Sequence, residues 1–225
     1  MPSLDRDGDV FVLNLGADEN RFHPDRLSEL SGLLDEVAAA EAPRALVTTA
    51  TGKFFSNGLD LDWLGRHADR VDDYVASVHE LFARVLAFPA PTVAAIQGHA
   101  FAAGAMLALA HDWRVMRADR GFFCLPEADI RIPFTPGMTA LIMAKLPRAA
   151  QVDAMLGARR FGGDAAASAG IVAGAVAEHD VVPSALALAA DQAPKDGATL
   201  AAIKQRMYAP ALAALADREA NRLGG

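Results

Sequence analysis

A chain of 225 residues that is 52% apolar and 22% charged has the composition of a soluble globular protein built around one sizeable core, and this excludes a disordered polypeptide. The formal net charge of −7, without a Lys/Arg run interleaved with aromatic residues, excludes an obvious nucleic-acid surface, although an acidic chain can still receive an anionic ligand at a helix N-terminus. One cysteine, Cys124, excludes a disulfide within the chain and argues against a cysteine-based metal site.

The polar, acidic start Met1 to Asp7 does not read as a signal peptide, and the longest apolar run, Ala100 to Ala110, is too short to cross a bilayer. The expected setting is therefore the cytoplasm, with no membrane and no nucleic acid among the partners. Asp9 to Leu15 reads as a strand. Pro24-Asp25 opens a helix to about Ala40, with Leu27, Leu30, Leu33, Leu34 and Val37 at helical spacing. Pro43 breaks that pattern, Ala45 to Thr49 is a buried strand, and Gly52 and Gly58 bracket a loop. Val71 to Phe88 is an amphipathic helix ended by Pro89-Ala90-Pro91. Thr92 to Ile96 is a second buried strand, followed at Gly98 by a turn and an Ala-rich helix over 102–110. Trp113 to Met116 and Gly121 to Leu125 read as strands. After Pro136 the pattern is helical, with breaks at Pro147, Gly162-Gly163, Gly170, Pro183 and 194–197. Strands alternating with helices in the first half give an α/β class.

Two strand-to-helix junctions carry chemistry. In Lys53-Phe54-Phe55-Ser56-Asn57-Gly58-Leu59-Asp60-Leu61, Gly58 permits a tight turn, Asp60 suits a helix cap, and the Leu59 N–H is left pointing outward. In Ile96-Gln97-Gly98-His99-Ala100-Phe101-Ala102-Ala103-Gly104, small side chains leave the first N–H groups of a helix reachable, at the positive end of its dipole. Either junction alone reads more readily as an ordinary strand-to-helix glycine turn; together, in this order, they are more specific. Two such N–H groups aimed at one point would form an oxyanion hole.

With these blocks in this order, the chain resembles the enoyl-CoA hydratase/isomerase (crotonase) superfamily. The matching stretches are Phe55 to Leu61, Ala95 to Gly104, Leu125 to Ile130, and Arg160-Phe161-Gly162-Gly163-Asp164-Ala165 through Gly170-Ile171-Val172. The resemblance implies a ClpP/crotonase-like spiral of repeated β-β-α units over 1–180, holding an acyl-CoA site, and a C-terminal helical region over 181–225 used in packing and trimer formation. It places the oxyanion hole on the N–H groups of Leu59 and Ala103, where the family often has three glycines before the second helix.

Family hydratases hold a water between two glutamates. The first falls on Met106, whose thioether cannot exchange a proton, and the second on Glu127. One base suits proton transfer alone, so the resemblance is closest to the Δ3,Δ2-enoyl-CoA isomerase branch. It implies that Glu127 moves a proton from C2 to C4 of a 3-enoyl-CoA. Ser56, Asn57, Gly58 and Asp60 are expected around the substrate, and Phe101, Met106 and Phe134 as an apolar wall that raises the Glu127 pKa. Asp129, two residues on in an extended segment, would face the same side as Glu127. Arg131 stands where family members usually carry glycine. It pairs with Glu127 and lowers its pKa, recognises an anionic acyl group, or points to solvent. Arg21 and Lys53 are the expected phosphate partners of coenzyme A, which enters as part of the substrate, with no resident cofactor or metal. His99 is expected to pack or hydrogen-bond beside the second junction, and His111 to sit at a helix end. A homotrimer or a dimer of trimers is the expected assembly. Another acyl-CoA reaction on the same scaffold (hydration, hydrolysis or decarboxylation) and a weakly catalytic thioester-binding paralogue are the competing readings.

Overall fold

A computed structural model describes residues 1–222 of the chain. The chain opens with an antiparallel hairpin of β1 (Ser3–Asp7) and β2 (Val10–Asn14). β1 carries no apolar alternation because it is an edge strand, largely exposed, and nothing in Ser3 to Asp7 marks it as a strand. There follow α1 (Pro24–Ala39), β3 (Ala45–Thr49), β4 (Phe54–Ser56), α2 (Leu61–Arg66) and α3 (Val71–Leu86). Next come β5 (Thr92–Ile96), β6 (His99–Phe101), α4 (Ala103–Ala110), β7 (Trp113–Arg117), β8 (Phe123–Cys124) and α5 (Glu127–Ile130). The second half holds α6 (Pro136–Lys145) and α7 (Arg148–Gln151), which runs into a wide helical turn over Val152–Leu156. It continues with α8 (Gly163–Ser168), β9 (Gly174–Val176), α9 (Val181–Gln192), α10 (Gly197–Met207) and α11 (Ala209–Ala216).

The strands form two sheets. One has six strands in the order β1-β2-β3-β5-β7-β9, and the other three in the order β4-β6-β8. Apart from the first hairpin, all pairings are parallel. Each turn of chain adds one strand to the large sheet, one to the small sheet, and then a helix. That is the spiral of β-β-α units expected from the resemblance. β4 and β6 occupy stretches expected as loops, and β9 interrupts a stretch expected to be helical. Each has three residues, too short for a period of two to show.

The large sheet is buried on both faces, so its strands read as unbroken apolar runs rather than alternating ones. In β5, Val93 and Ala95 face one core while Ala94 and Ile96 face the other. α9 closes the first of these, laying Val181, Ala185, Ala189 and Ala193 at helical spacing against Val47, Val93 and Val115. The second core is covered by α1, α3, α4 and α6 together with the small sheet. Among the described residues no helix is long and apolar enough to cross a membrane.

Candidate active site

The site is built where the two junctions meet, and glycine permits the meeting. A Cβ on Gly104, in the first turn of α4, would lie 2.3 Å from the Ser56 carbonyl oxygen at the end of β4. A Cβ on Gly58, whose φ is +81°, would lie 2.9 Å from the Ala103 nitrogen. The backbone at 58 and the amide at 103 therefore sit at contact distance because neither glycine carries a side chain. Ala102 between β6 and α4 has φ +50° and ψ −126°, a conformation suited to glycine, and so starts α4 with the Ala103 N–H on the cavity side. Leu59 and Ala103 both line a cavity of 430 Å³. Neither N–H donates to a protein acceptor among the described residues.

The first loop is held from behind. Ser56 Oγ donates to the Asn20 carbonyl at 2.8 Å and accepts from the Gly58 N–H at 3.2 Å. Asn20 Nδ2 donates to the carbonyls of Phe54 and Phe55 at 3.1 Å each, and the Asn57 N–H to the Glu19 carbonyl at 2.8 Å. Asp60 caps α2 by accepting from the Trp63 N–H at 3.0 Å, the role its position suggested. Ser56, Gly58 and Asp60 thus shape the loop and do not line the cavity, contrary to the expectation that they meet substrate. Asn57 does line it.

Glu127 begins α5 and is 6% exposed. It lines the same cavity, its Oε2 has no hydrogen-bond partner, and burial pushes its pKa up to about 7. Phe101 and Met106 lie on the cavity wall, as expected. Phe134 does not: it lines an adjoining hollow that also reaches Glu127. Asp129 turns away to solvent, because the segment is helical and residues two apart on a helix do not share a face. The other cavity carboxylate, Asp62, is 78% exposed at the mouth and paired with Arg21 at 2.6 Å.

Arg131 neither pairs with Glu127 nor lowers its pKa. Its side chain is exposed and outside the cavity, and its backbone takes the left-handed conformation that ends α5, with φ +60°. That conformation is the physical reason a glycine suits the position. Arg21 lies at the cavity mouth between Glu19 and Asp62. Lys53 is outside, exposed and stacked over the Phe54 ring at 5.1 Å. His111 ends α4, buried and neutral, with Nδ1 near the Leu107 carbonyl and Nε2 near Thr48 Oγ1, both at 2.8 Å. His99 packs among Phe54, Phe101 and Phe122.

Sequence reasoning missed Arg160, Cys124, Ile132 and Met138 at the cavity. Arg160 sits 5.9 Å from the Phe101 ring because Phe161 bridges to Phe123, the two residues exchanging N–H···O bonds of 2.9 Å. That long-range bridge leaves no local signal. Arg160 does open one of the matching motif stretches.

The fold and the paired junctions define an acyl-thioester enzyme of the crotonase class. The enoyl-CoA hydratase/isomerase family model matches residues 9–222, and the chain belongs to that family. It is 38% identical to enoyl-CoA delta isomerase 3 of Arabidopsis thaliana, over 99% of this chain and 98% of that one. It is also 38% identical to the peroxisomal enoyl-CoA delta isomerase 2 of the same plant, over 92% of each chain. Among solved structures, it is similar to a Mycobacterium tuberculosis protein described in one structure as an enoyl-CoA isomerase and in another as a probable enoyl-CoA hydratase, with a TM-score of 0.88 at 29% identity, covering 95% of this chain and 93% or 91% of that one.

Proposed function

We propose that the protein shifts the double bond of a 3-enoyl-CoA to the 2-trans position, with Glu127 as its single base. The thioester oxygen accepts from the N–H groups of Leu59 and Ala103. Glu127 takes a proton from C2, and the C2–H electron pair moves into the conjugated system, leaving a dienolate with its charge on that oxygen. The carboxyl then returns the proton to C4, and the electrons settle as a C2=C3 double bond. Two preorganised donors each worth about 3 kcal/mol, and a positioned base worth about 10²–10⁴-fold, suit this chemistry.

The observation that carries the reading is the buried Glu127 carboxyl, unpartnered at Oε2, in a cavity where Met106 stands in place of a second acid. A hydratase must orient and activate water, and a thioether does neither. Apolar surroundings hold the carboxyl near the operating pH, where a general base is most effective. Arg21 and Arg160, at the cavity mouth, are the cations proposed to meet the phosphates of coenzyme A, which arrives with the acyl group. Lys53, exposed and outside the cavity, is a second-rank candidate for the same role.

Conjugation of a 3-enoyl-CoA, followed by ultraviolet absorbance, tests the reading. The purified chain should produce it and Glu127→Gln should not. Hydration of a 2-trans-enoyl-CoA at a comparable rate would instead establish the hydratase reading. We also propose a cytoplasmic homotrimer, single or paired. Exposed Met143, Val152 and Met207 supply apolar surface for assembly. Light scattering reads the mass, and fractionation distinguishes the cytoplasm from the peroxisome named for one of the plant relatives.

A further inference from the structure

A backbone donor is only as well aimed as the peptide that carries it. The peptide between Gly58 and Leu59 is planar and trans, so its C=O and N–H point in opposite directions. The Gly58 carbonyl accepts from the Phe22 N–H at 2.8 Å. Phe22 is fully buried, with its ring edge-on to Phe82. The Leu59 N–H therefore leaves on the side away from Phe22. It has no protein acceptor among the described residues, and Leu59 lines the cavity.

The turn that presents the Phe22 N–H is held by Asn20. Asn20 is 1% exposed and has φ +49°, a left-handed conformation that asparagine tolerates better than most residues with a Cβ. All its polar groups are engaged. Its N–H donates to Asp18 Oδ1 at 2.6 Å, and its carbonyl accepts from Ser56 Oγ. Its Nδ2 donates to the Phe54 and Phe55 carbonyls, and its Oδ1 accepts from Arg26 Nη1 at 2.8 Å. Arg26 also donates to the Leu15 carbonyl at 2.6 Å and pairs with Asp18 at 2.9 Å. A guanidinium only donates, so it fixes the amide with oxygen toward Arg26 and nitrogen toward β4. Backbone strain of this kind persists where the surroundings over-determine it, and it gathers at functional sites.

We propose that Asn20 is a positioning residue for the reaction. Through Phe22 and Gly58 it sets the direction of the Leu59 donor, and Arg26 sets the direction of Asn20. Neither side chain lines the cavity, so both act without touching substrate. The inference rests on the part of the proposed function that places the thioester oxygen at Leu59 and Ala103.

Asn20→Asp keeps the shape and the Arg26 contact but turns an acceptor toward the two β4 carbonyls. Arg26→Met keeps the stem and releases the amide. Asn20→Asp should lower kcat about 10²-fold, the effect of losing one oxyanion donor, and Arg26→Met about tenfold, by a smaller misalignment. KM, and the Kd of saturated butyryl-CoA from calorimetry, should stay within about threefold. The infrared carbonyl stretch of bound butyryl-CoA, isotopically labelled at the thioester carbon, reads the donors directly. The wild type should lower its frequency, and both variants should return part of that shift. Lost turnover with the band where the wild type has it, or affinity lost by the same factor as kcat/KM, overturns the proposal. So does unchanged turnover in both variants. If Asn20→Asp does not fold, Arg26→Met decides by the same criteria. If the wild type isomerises no 3-enoyl-CoA yet shifts the band, and the variants relax it, the positioning role stands and the isomerase reading falls. A wild-type band that does not shift overturns the positioning role whatever the turnover.

Discussion

Glu127 is expensive to keep ionised. Its carboxyl is buried, Oε2 has no partner, and its pKa stands at about 7 against an ordinary 4.5. Between those two values the folded chain holds a proton that the unfolded chain has released, so the group's contribution to stability falls as pH rises through that window. The full penalty, about 3 kcal/mol, applies above it. Glu127→Gln should therefore be more stable than the wild type by about 1–3 kcal/mol in slightly alkaline buffer and gain little in acid, as urea unfolding at the two pH values would show. The same substitution should lower kcat/KM by about 10²–10⁴-fold. Wild-type kcat/KM should rise with pH through an apparent pKa near 7, because the base acts unprotonated and burial has raised its pKa. A profile already flat from pH 5 upward would mean that the titrating base is another group. Ala102 is a second residue under strain. With φ +50° and ψ −126°, Ala102→Gly should stabilise the fold by about 1 kcal/mol, read as a higher Tm, while leaving the Ala103 amide in place.

At the scale of elements, the oxyanion geometry depends on how closely the start of α4 approaches the end of β4. Gly104→Ala would drive a Cβ to within 2.3 Å of the Ser56 carbonyl oxygen, so the two elements must part. The expected result is a loss of about 1–3 kcal/mol in stability and about 10²-fold in turnover, since a misplacement of about 1 Å is enough to spoil alignment. Substrate binding should be less affected than kcat. Much of this element structure was legible beforehand. α1, α3, β3 and β5 announce themselves through helical or unbroken apolar spacing, while Leu59, Ala103 and Glu127 were brought together only by the family resemblance, and all three line one cavity. What was not legible depends on long-range pairing or on short segments. β4, β6 and β9 have three residues each. Reading the segment after Pro126 as extended put Asp129 on the wrong side, because α5 is a single helical turn that no period can reveal. Ser56 and Asp60 carry the right motif, but their side chains are already engaged with Asn20, Gly58 and Trp63.

For the molecule as a whole, the C-terminal helices are tied to the spiral by buried charge as well as apolar packing. Lys204 of α10 is 5% exposed, and its Nζ donates to the carbonyls of Phe88 at 3.0 Å and Ala90 at 2.8 Å and to Asp112 Oδ2 at 2.6 Å. Lys204→Ala removes the cation from a largely buried carboxylate, which keeps only the Thr92 N–H and hydroxyl as donors, and leaves two carbonyls without this partner, so it should cost about 3–5 kcal/mol in an equilibrium unfolding experiment. α11 packs on α6, whose Met138 lines the cavity, so loosening this end should reach the site as well. The most direct test of the central claim is a single turnover of a 3-enoyl-CoA carrying deuterium at both C2 hydrogens, in ordinary water, with the product analysed by mass spectrometry and NMR. One buried carboxyl that lifts and returns the same proton should deliver a measurable share of the label to C4. Product with no deuterium at C4 at the earliest times, and hydrogen from water there instead, would show that a second group delivers the proton and would contradict the single-base account.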